Sequence, residues 1–152
     1  MPAKELVREE ACMTTDEAKE LLMMHSFTYH EVHHPKMEHG FLGSLRPYRG
    51  KLVPENFHEV MAALRVLAPS LQQPQVDAKV VHALWAICHL AHSWGIHPNG
   101  MLRRNGLISP EDVETLERWI ECISYATFIL LGSKPGRESI AEAFHNYETP
   151  SP

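Results

Sequence analysis

The sequence predicts an all-α protein, a compact bundle of four to five antiparallel helices around a central helix at about residues 76–94. Apolar residues recur every three or four positions in several stretches, and helix start signals precede them. Alternation of apolar and polar residues is too short to give a convincing set of strands. Because 152 residues with 44% hydrophobic and 22% charged side chains suit one globular domain, we expect a single helical domain, with fraying at residues 1–13 and 148–152.

The predicted central helix is the longest apolar-periodic stretch that contains no Gly or Pro, VDAKVVHALWAICHLAHSW. At about 100° per residue, Val76, Val80, Leu84 and Ile87 fall on one half of the helix, which predicts a core face. Gly95 follows this stretch and suits a left-handed residue at the end of a helix. We therefore expect the helix to end there.

A first helix is predicted at residues 16–25, where Thr14 and Glu17 form a capping-box pattern. The helical period disappears over residues 26–53, and FTYHEV alternates enough to predict a short extended segment before Pro35 breaks it. Because this irregular segment is long for a connection in a compact domain, we expect it to be a packed loop with a binding role. Its side chains expected to cover the core are Phe41, Leu42, Leu45 and Tyr48.

Three further helices are predicted by their start and stop residues. Pro54 suits a first helical position, and Pro69 is expected to end that second helix. Ser109 provides a cap before a proline and an acidic first turn, which predicts a helix running to residue 131. A last helix is predicted at residues 138–147.

Charge and cysteine content narrow the function classes. A net charge of −5 argues against broad, non-specific binding to nucleic acid or to anionic membranes. No apolar run approaches the roughly 20 residues needed to span a bilayer. The cysteines are Cys12, Cys88 and Cys122, an odd number, and two lie inside apolar helical patterns, so we expect a reducing cytoplasm.

A basic pole is the first candidate site. Short connections make neighbouring helices antiparallel, so the loop before the second helix should meet the loop after the central helix at one end of the bundle. Arginine forks suit carboxylate or phosphate, and a tyrosine ring offers a stacking face. The competing interpretation is that the cations pair with local Glu and Asp. The candidate partner- or anion-binding residues are Arg46, Tyr48, Arg49, Lys51, Arg103 and Arg104.

The eleven histidines suggest a competing site for zinc. Within HEVHHPKMEH, His30, His33, His34 and His39 are close enough in sequence to serve as metal ligands, with His58 as an added candidate for hydrolytic chemistry. Surface imidazoles without a metal are the simpler interpretation, so no cofactor is expected and zinc is the alternative.

A stripe on the central helix, His82, Trp85, His89 and His92, has two interpretations. It is either covered by another element, which makes Trp85 part of the core, or exposed as a partner interface. Nucleophilic catalysis by Cys88 with His89 is disfavoured, because adjacent helical residues point about 100° apart.

These observations favour a small helical protein that acts by binding over one that acts as an enzyme. It is expected to bind another protein with an acidic surface, as a regulator, inhibitor, immunity-type or accessory subunit. The alternatives are a histidine-rich metal-binding protein and a binder of nucleic acid or of a phosphorylated ligand. Assembly with further copies of the chain is compatible with the sequence, and no membrane partner is expected.

Overall fold

The computed structural model describes residues 13–149, which form helices and no strand, as predicted. Predicted fraying at residues 1–12 and 150–152 lies outside this part of the chain, whereas Glu148 belongs to a helix. No helix among the described residues is long and apolar enough to cross a membrane. The helices are α1 (Thr15–His25), α2 (Pro35–His39), α3 (Pro54–Leu71), α4 (Ala78–Ala91, continuing into a π turn at His92–Ile96), α5 (Met101–Arg104), α6 (Pro110–Gly132), α7 (Arg137–Ala143) and α8 (His145–Glu148).

Helices α1, α3, α4 and α6 form a four-helix bundle in which α1 and α6 each pack against both α3 and α4. Two of the neighbouring pairs are antiparallel. His25, at the end of α1, contacts Glu59 near the start of α3. Gly95, just beyond α4, lies so close to Leu116 near the start of α6 that an added Cβ would be 2.6 Å from its Cδ2.

The other two neighbouring pairs are parallel. Lys19 in α1 pairs with Asp77, the N-cap of α4, at 3.2 Å. Phe57 and Trp119, near the starts of α3 and α6, stack with ring centroids 5.2 Å apart. The ends of α1 and α4 therefore lie at the same pole as the starts of α3 and α6, which is the juxtaposition that the short connections predict.

The α4 helix is one of four sides of the bundle rather than a helix enclosed by the others. Val80, Leu84 and Ile87 are buried, as the periodicity predicts. Val76 is 39% exposed, because α4 begins only after the Asp77 cap. The opposite face of α4 meets solvent.

Two predicted helix ends are wrong. Pro69 lies inside α3, which continues to Leu71. A proline this close to a helix end removes only one backbone hydrogen bond, and the N–H of Gln72 closes the last turn on Pro69 O and Ser70 O. Gly95 lies in the π turn and is not among the glycines with positive φ. A close contact, rather than a left-handed cap, favours glycine here, because an added Cβ would force the Leu116 side chain to shift.

The irregular segment packs over the core as predicted, since Phe41, Leu42 and Leu45 are all buried. No strand forms at FTYHEV, and residues 27–34 are an irregular stretch with turns at 27 and 32–33 and a bend at 30. Pro35 starts α2 rather than only breaking structure, because proline is tolerated at the first position of a helix.

The C-terminal helices α7 and α8 replace the single predicted helix and are separated at Phe144. Phe144 is fully buried, and the Arg65 guanidinium lies 4.5 Å from its ring centroid. Arg65 also donates to Glu148 Oε1 at 2.5 Å. This end of the chain is thereby fixed against α3.

Candidate functional site

The basic pole, defined as Arg46, Tyr48, Arg49, Lys51, Arg103 and Arg104, is built from the irregular segment and α5. The Tyr48 hydroxyl donates to Asp112 Oδ2 at 2.5 Å, which fixes the loop to the first turn of α6. The Arg46 guanidinium lies 5.3 Å from the ring centroid of Trp94, at the end of α4. The loop therefore crosses the end of α4 and the start of α6.

The α5 turn joins the same pole through Arg103, whose Nη1 donates to Ile96 O at 2.9 Å. All five cationic residues of the basic pole are exposed. Arg49 donates to Glu38 Oε1 at 3.2 Å, so part of its charge is offset locally, as the competing interpretation requires. The contacts that support these cations are thus one backbone carbonyl, the ring of Trp94 and the carboxylate of Glu38.

Tyr48 serves the pole mainly as an anchor. Burial, followed by the hydrogen bond to Asp112 and the charge of that carboxylate, raises the pKa of the Tyr48 hydroxyl well above its usual range. The hydroxyl remains protonated and committed to Asp112. A partner could therefore use only the exposed part of the ring, which narrows the predicted stacking role.

A clamp formed by buried His25 with the half-buried Glu59 and Lys36 holds the irregular segment, and sequence reasoning missed it. His25 is 0% exposed, and its Nδ1 accepts the Phe41 backbone N–H at 2.8 Å. Because Nδ1 accepts, the ring proton lies on Nε2, which donates to Glu59 Oε2 at 2.8 Å. The only sequence signal was a histidine on the apolar side of α1.

Lys36 in α2 completes the clamp, because its Nζ contacts Glu59 Oε1 at 2.7 Å and Oε2 at 2.9 Å. The hydrogen bond from His25, with further contributions from the hydrogen bond and charge of Lys36, lowers the pKa of Glu59 to about 2 although partial burial opposes the shift. Both nitrogens of the His25 ring are occupied, so the clamp supports structure rather than acid–base chemistry.

The predicted zinc ligands are not brought together as a ligand set. Among residues 13–149, no group of three or more His, Cys, Asp or Glu side chains is arranged to hold a metal ion. His34 caps α2, and its Nδ1 accepts the Lys36 N–H at 3.1 Å. His30, His33 and His39 are exposed, as is His58, which contacts Tyr147 at 2.7 Å. A zinc site formed by His30, His33, His34 and His39 would need a different arrangement of the irregular segment.

The stripe on α4 is exposed, so of its two interpretations the one in which another element covers it is wrong. Trp85 is 70% exposed, and His82, His89 and His92 are exposed beside it. Helices α1 and α6 cover the other sides of α4 and leave this face in solvent. The alternative interpretation, an exposed aromatic flanked by imidazoles, is the arrangement found.

The cysteines in the described part of the chain are not activated. Burial, with a smaller contribution from Glu121, raises the pKa of the Cys88 thiol to about 12 and raises that of Cys122. A thiolate is the nucleophilic form, so neither thiol suits catalysis at neutral pH.

Comparisons with protein-family models, with curated proteins and with solved structures found no match to this chain. The geometry therefore carries the functional argument. It offers an anchored set of exposed cations at one pole and an exposed aromatic surface along α4.

Proposed function

We propose that the protein is a protein-binding module, acting as a regulator, inhibitor, immunity-type or accessory subunit, and that its basic pole binds an acidic surface of another protein. One observation carries the proposal: Tyr48 fixes the loop to the start of α6 and Arg46 fixes it to the end of α4, whose π turn also contacts Arg103 of α5. Cations that are distant in sequence are thereby exposed at the same end of the bundle. Planar guanidinium groups suit carboxylates, which they can bind through two parallel hydrogen bonds.

The loop is fixed before any partner arrives, which supports a role in recognition. Leu45 is buried, and the buried Asn56 side chain donates to His39 O at 2.9 Å. The His25–Glu59–Lys36 clamp holds the preceding residues. Because ordering a loop opposes binding, a loop that is already anchored loses less free energy on association.

We place this function in the cytoplasm. The described cysteines, Cys88 and Cys122, are free and partly buried, which suits a compartment where thiols remain reduced.

The test is affinity capture from native lysate, followed by mass spectrometry. A variant that combines Arg46→Glu, Arg49→Glu and Arg104→Glu should lose the partner that the wild-type protein captures. The control combines Lys79→Glu, Arg118→Glu and Arg137→Glu, which changes net charge equally at exposed residues outside the basic pole. This control should retain the partner.

The lysate is divided into untreated, nuclease-treated and phosphatase-treated portions. Capture that survives both treatments supports an acidic protein surface. Capture lost with nuclease or phosphatase would instead identify nucleic acid or a phosphorylated ligand. Equal loss in both triple variants would show that overall charge, rather than the basic pole, determines binding.

A further inference from the structure

A second surface, here called the aromatic face, lies on the solvent side of α4 and α6. Trp85 is 70% exposed, Phe128 is 72% exposed and Leu131 is 40% exposed. Large aromatic side chains that remain this exposed on regular helices are typical of interaction surfaces. The basic pole lies elsewhere, because Arg46 contacts Trp94 at the end of α4.

The two aromatic rings flank the line along which α4 and α6 meet. Helices α4 and α6 pack against each other, and the Glu121 carboxylate on α6 is near enough to Cys88 on α4 for its charge to contribute to the raised pKa of that thiol. Trp85 lies one turn before Cys88 on α4, and Phe128 lies two turns after Glu121 on α6. Around its own helix, each aromatic residue is within about 60° of that neighbour. Because α4 and α6 are antiparallel, Trp85 and Phe128 lie within about one turn of each other along the bundle.

Complementary polar groups occupy the two sides of the aromatic face. On α4, the exposed residues His82, His89 and His92 lie within about 60° of Trp85 around the helix. On α6, three exposed glutamates lie within about 60° of Phe128 and are here called the carboxylate row: Glu114, Glu117 and Glu121. Imidazole N–H groups are therefore presented by one helix and carboxylate acceptors by the other.

We propose that the aromatic face binds a second copy of the chain, with α4 of each copy against α6 of the other. A two-fold axis parallel to the helices keeps each residue at the same height along the bundle in both copies, and it sets α4 of one copy against α6 of the other. It places His89 opposite Glu121 of the second copy, because these residues lie at similar heights. It also places Trp85 within about one turn of Phe128 of the second copy, and each contact occurs twice.

A second copy fits this face because the face supplies its own complement. A rotation that set α4 against α4 would instead place imidazoles opposite imidazoles and leave the carboxylate row against itself. A surface two helices wide and about 20 Å long buries on the order of 1,000 Å², at the lower end for a specific interface. The expected dimer is therefore weak, with a dissociation constant on the order of micromolar.

The first test is sedimentation velocity of the full chain from about 1 µM to about 1 mM. The wild-type protein should shift from monomer to dimer across this range. Trp85→Ser and Phe128→Ser should each weaken dimerisation by at least about tenfold, as expected for a central aromatic anchor. The control Val32→Ser removes an apolar side chain that is 68% exposed on the irregular segment and should leave the dimer unchanged.

The second test mixes two variants to examine the arrangement itself. One carries His89→Glu and His92→Glu, and the other carries Glu117→Lys and Glu121→Lys. Each should dimerise less than wild type when alone. The first variant sets glutamates on α4 against glutamates on α6, and the second sets lysines on α6 against imidazoles that have lost their carboxylate acceptors. The mixture should form a heterodimer, since glutamates on α4 of one chain meet lysines on α6 of the other.

A wild-type chain that stays monomeric up to about 1 mM would overturn the proposal. So would a dimer that both serine variants leave intact, or a mixture that shows no heterodimer. Circular dichroism establishes that each variant is folded, and all substituted side chains are exposed. The basic-pole capture experiment is independent, because its triple variant leaves the aromatic face unaltered.

Discussion

Replacing Glu59 by Gln should destabilise the protein in a pH-dependent manner. The pKa of Glu59 is about 2 in the folded chain, against an ordinary value of 4.5, with the His25 hydrogen bond as the first cause. That difference corresponds to roughly 3 kcal/mol. The Glu59 side chain is 35% exposed, so solvent screening reduces the expected loss to about 1–2 kcal/mol near neutral pH.

The lowered pKa of Glu59 determines the direction in which pH changes the stability of the protein. A carboxyl group whose pKa falls on folding stabilises the folded state above its unfolded pKa, and this contribution disappears as pH falls. For Glu59 the loss begins near 4.5 and continues toward about 2. The stability difference between wild type and Glu59→Gln should therefore shrink by more than half between about pH 7 and about pH 3.

Urea unfolding followed by circular dichroism at a series of pH values measures this difference. Glu142→Gln is the matched control, because Glu142 is an exposed glutamate of α7, and its free energy of unfolding should change by less than about 0.5 kcal/mol. A difference in the free energy of unfolding between wild type and Glu59→Gln that stays constant down to about pH 3, or that increases in acid, would refute the assigned role of the clamp.

Three other substitutions test the fold and the loop. Tyr48→Phe removes the hydrogen bond to Asp112 and should lower the free energy of unfolding by about 1 kcal/mol in urea titrations; an unchanged value would contradict the anchoring role. Phe144→Ala truncates a fully buried ring and should cost about 3–5 kcal/mol, seen as a melting temperature lower by roughly 10 °C; a smaller shift than that of Tyr48→Phe would argue against the packing described. Gly43→Ala would place a Cβ 2.4 Å from two backbone carbonyl oxygens and should cost about 2–4 kcal/mol by thermal unfolding, whereas a neutral result would mean that the loop relaxes freely.

Local signals predicted the helices well because their causes are local. Thr14 accepts the Glu17 N–H at 3.1 Å, and Ser109 accepts the Asp112 N–H at 3.1 Å, so the expected caps are present. Gly95 was misinterpreted because the same residue serves a left-handed turn or a close approach. Its close neighbour, Leu116, is twenty-one positions away, and only the fold places it there.

The candidate sites depended on distant contacts and were predicted less completely. The exposure of Trp85 follows from which sides of α4 are covered by α1 and α6, and helical periodicity does not reveal those neighbours. The His25 clamp depends on a partner 34 positions away. By contrast, the sequence predicts that the loop before α3 and the loop after α4 lie at one end of the bundle, because short connections determine helix directions.

Hydrogen–deuterium exchange of the protein with and without its captured partner tests the central claim most directly. Partner binding should slow exchange at backbone amides of residues 45–52 and 101–106, while α7 is unaffected. The triple variant Arg46→Glu, Arg49→Glu and Arg104→Glu should show no such protection at matched concentrations. Protection confined to α7 and α8, or to α4 and α6 alone, would contradict a binding role for the basic pole.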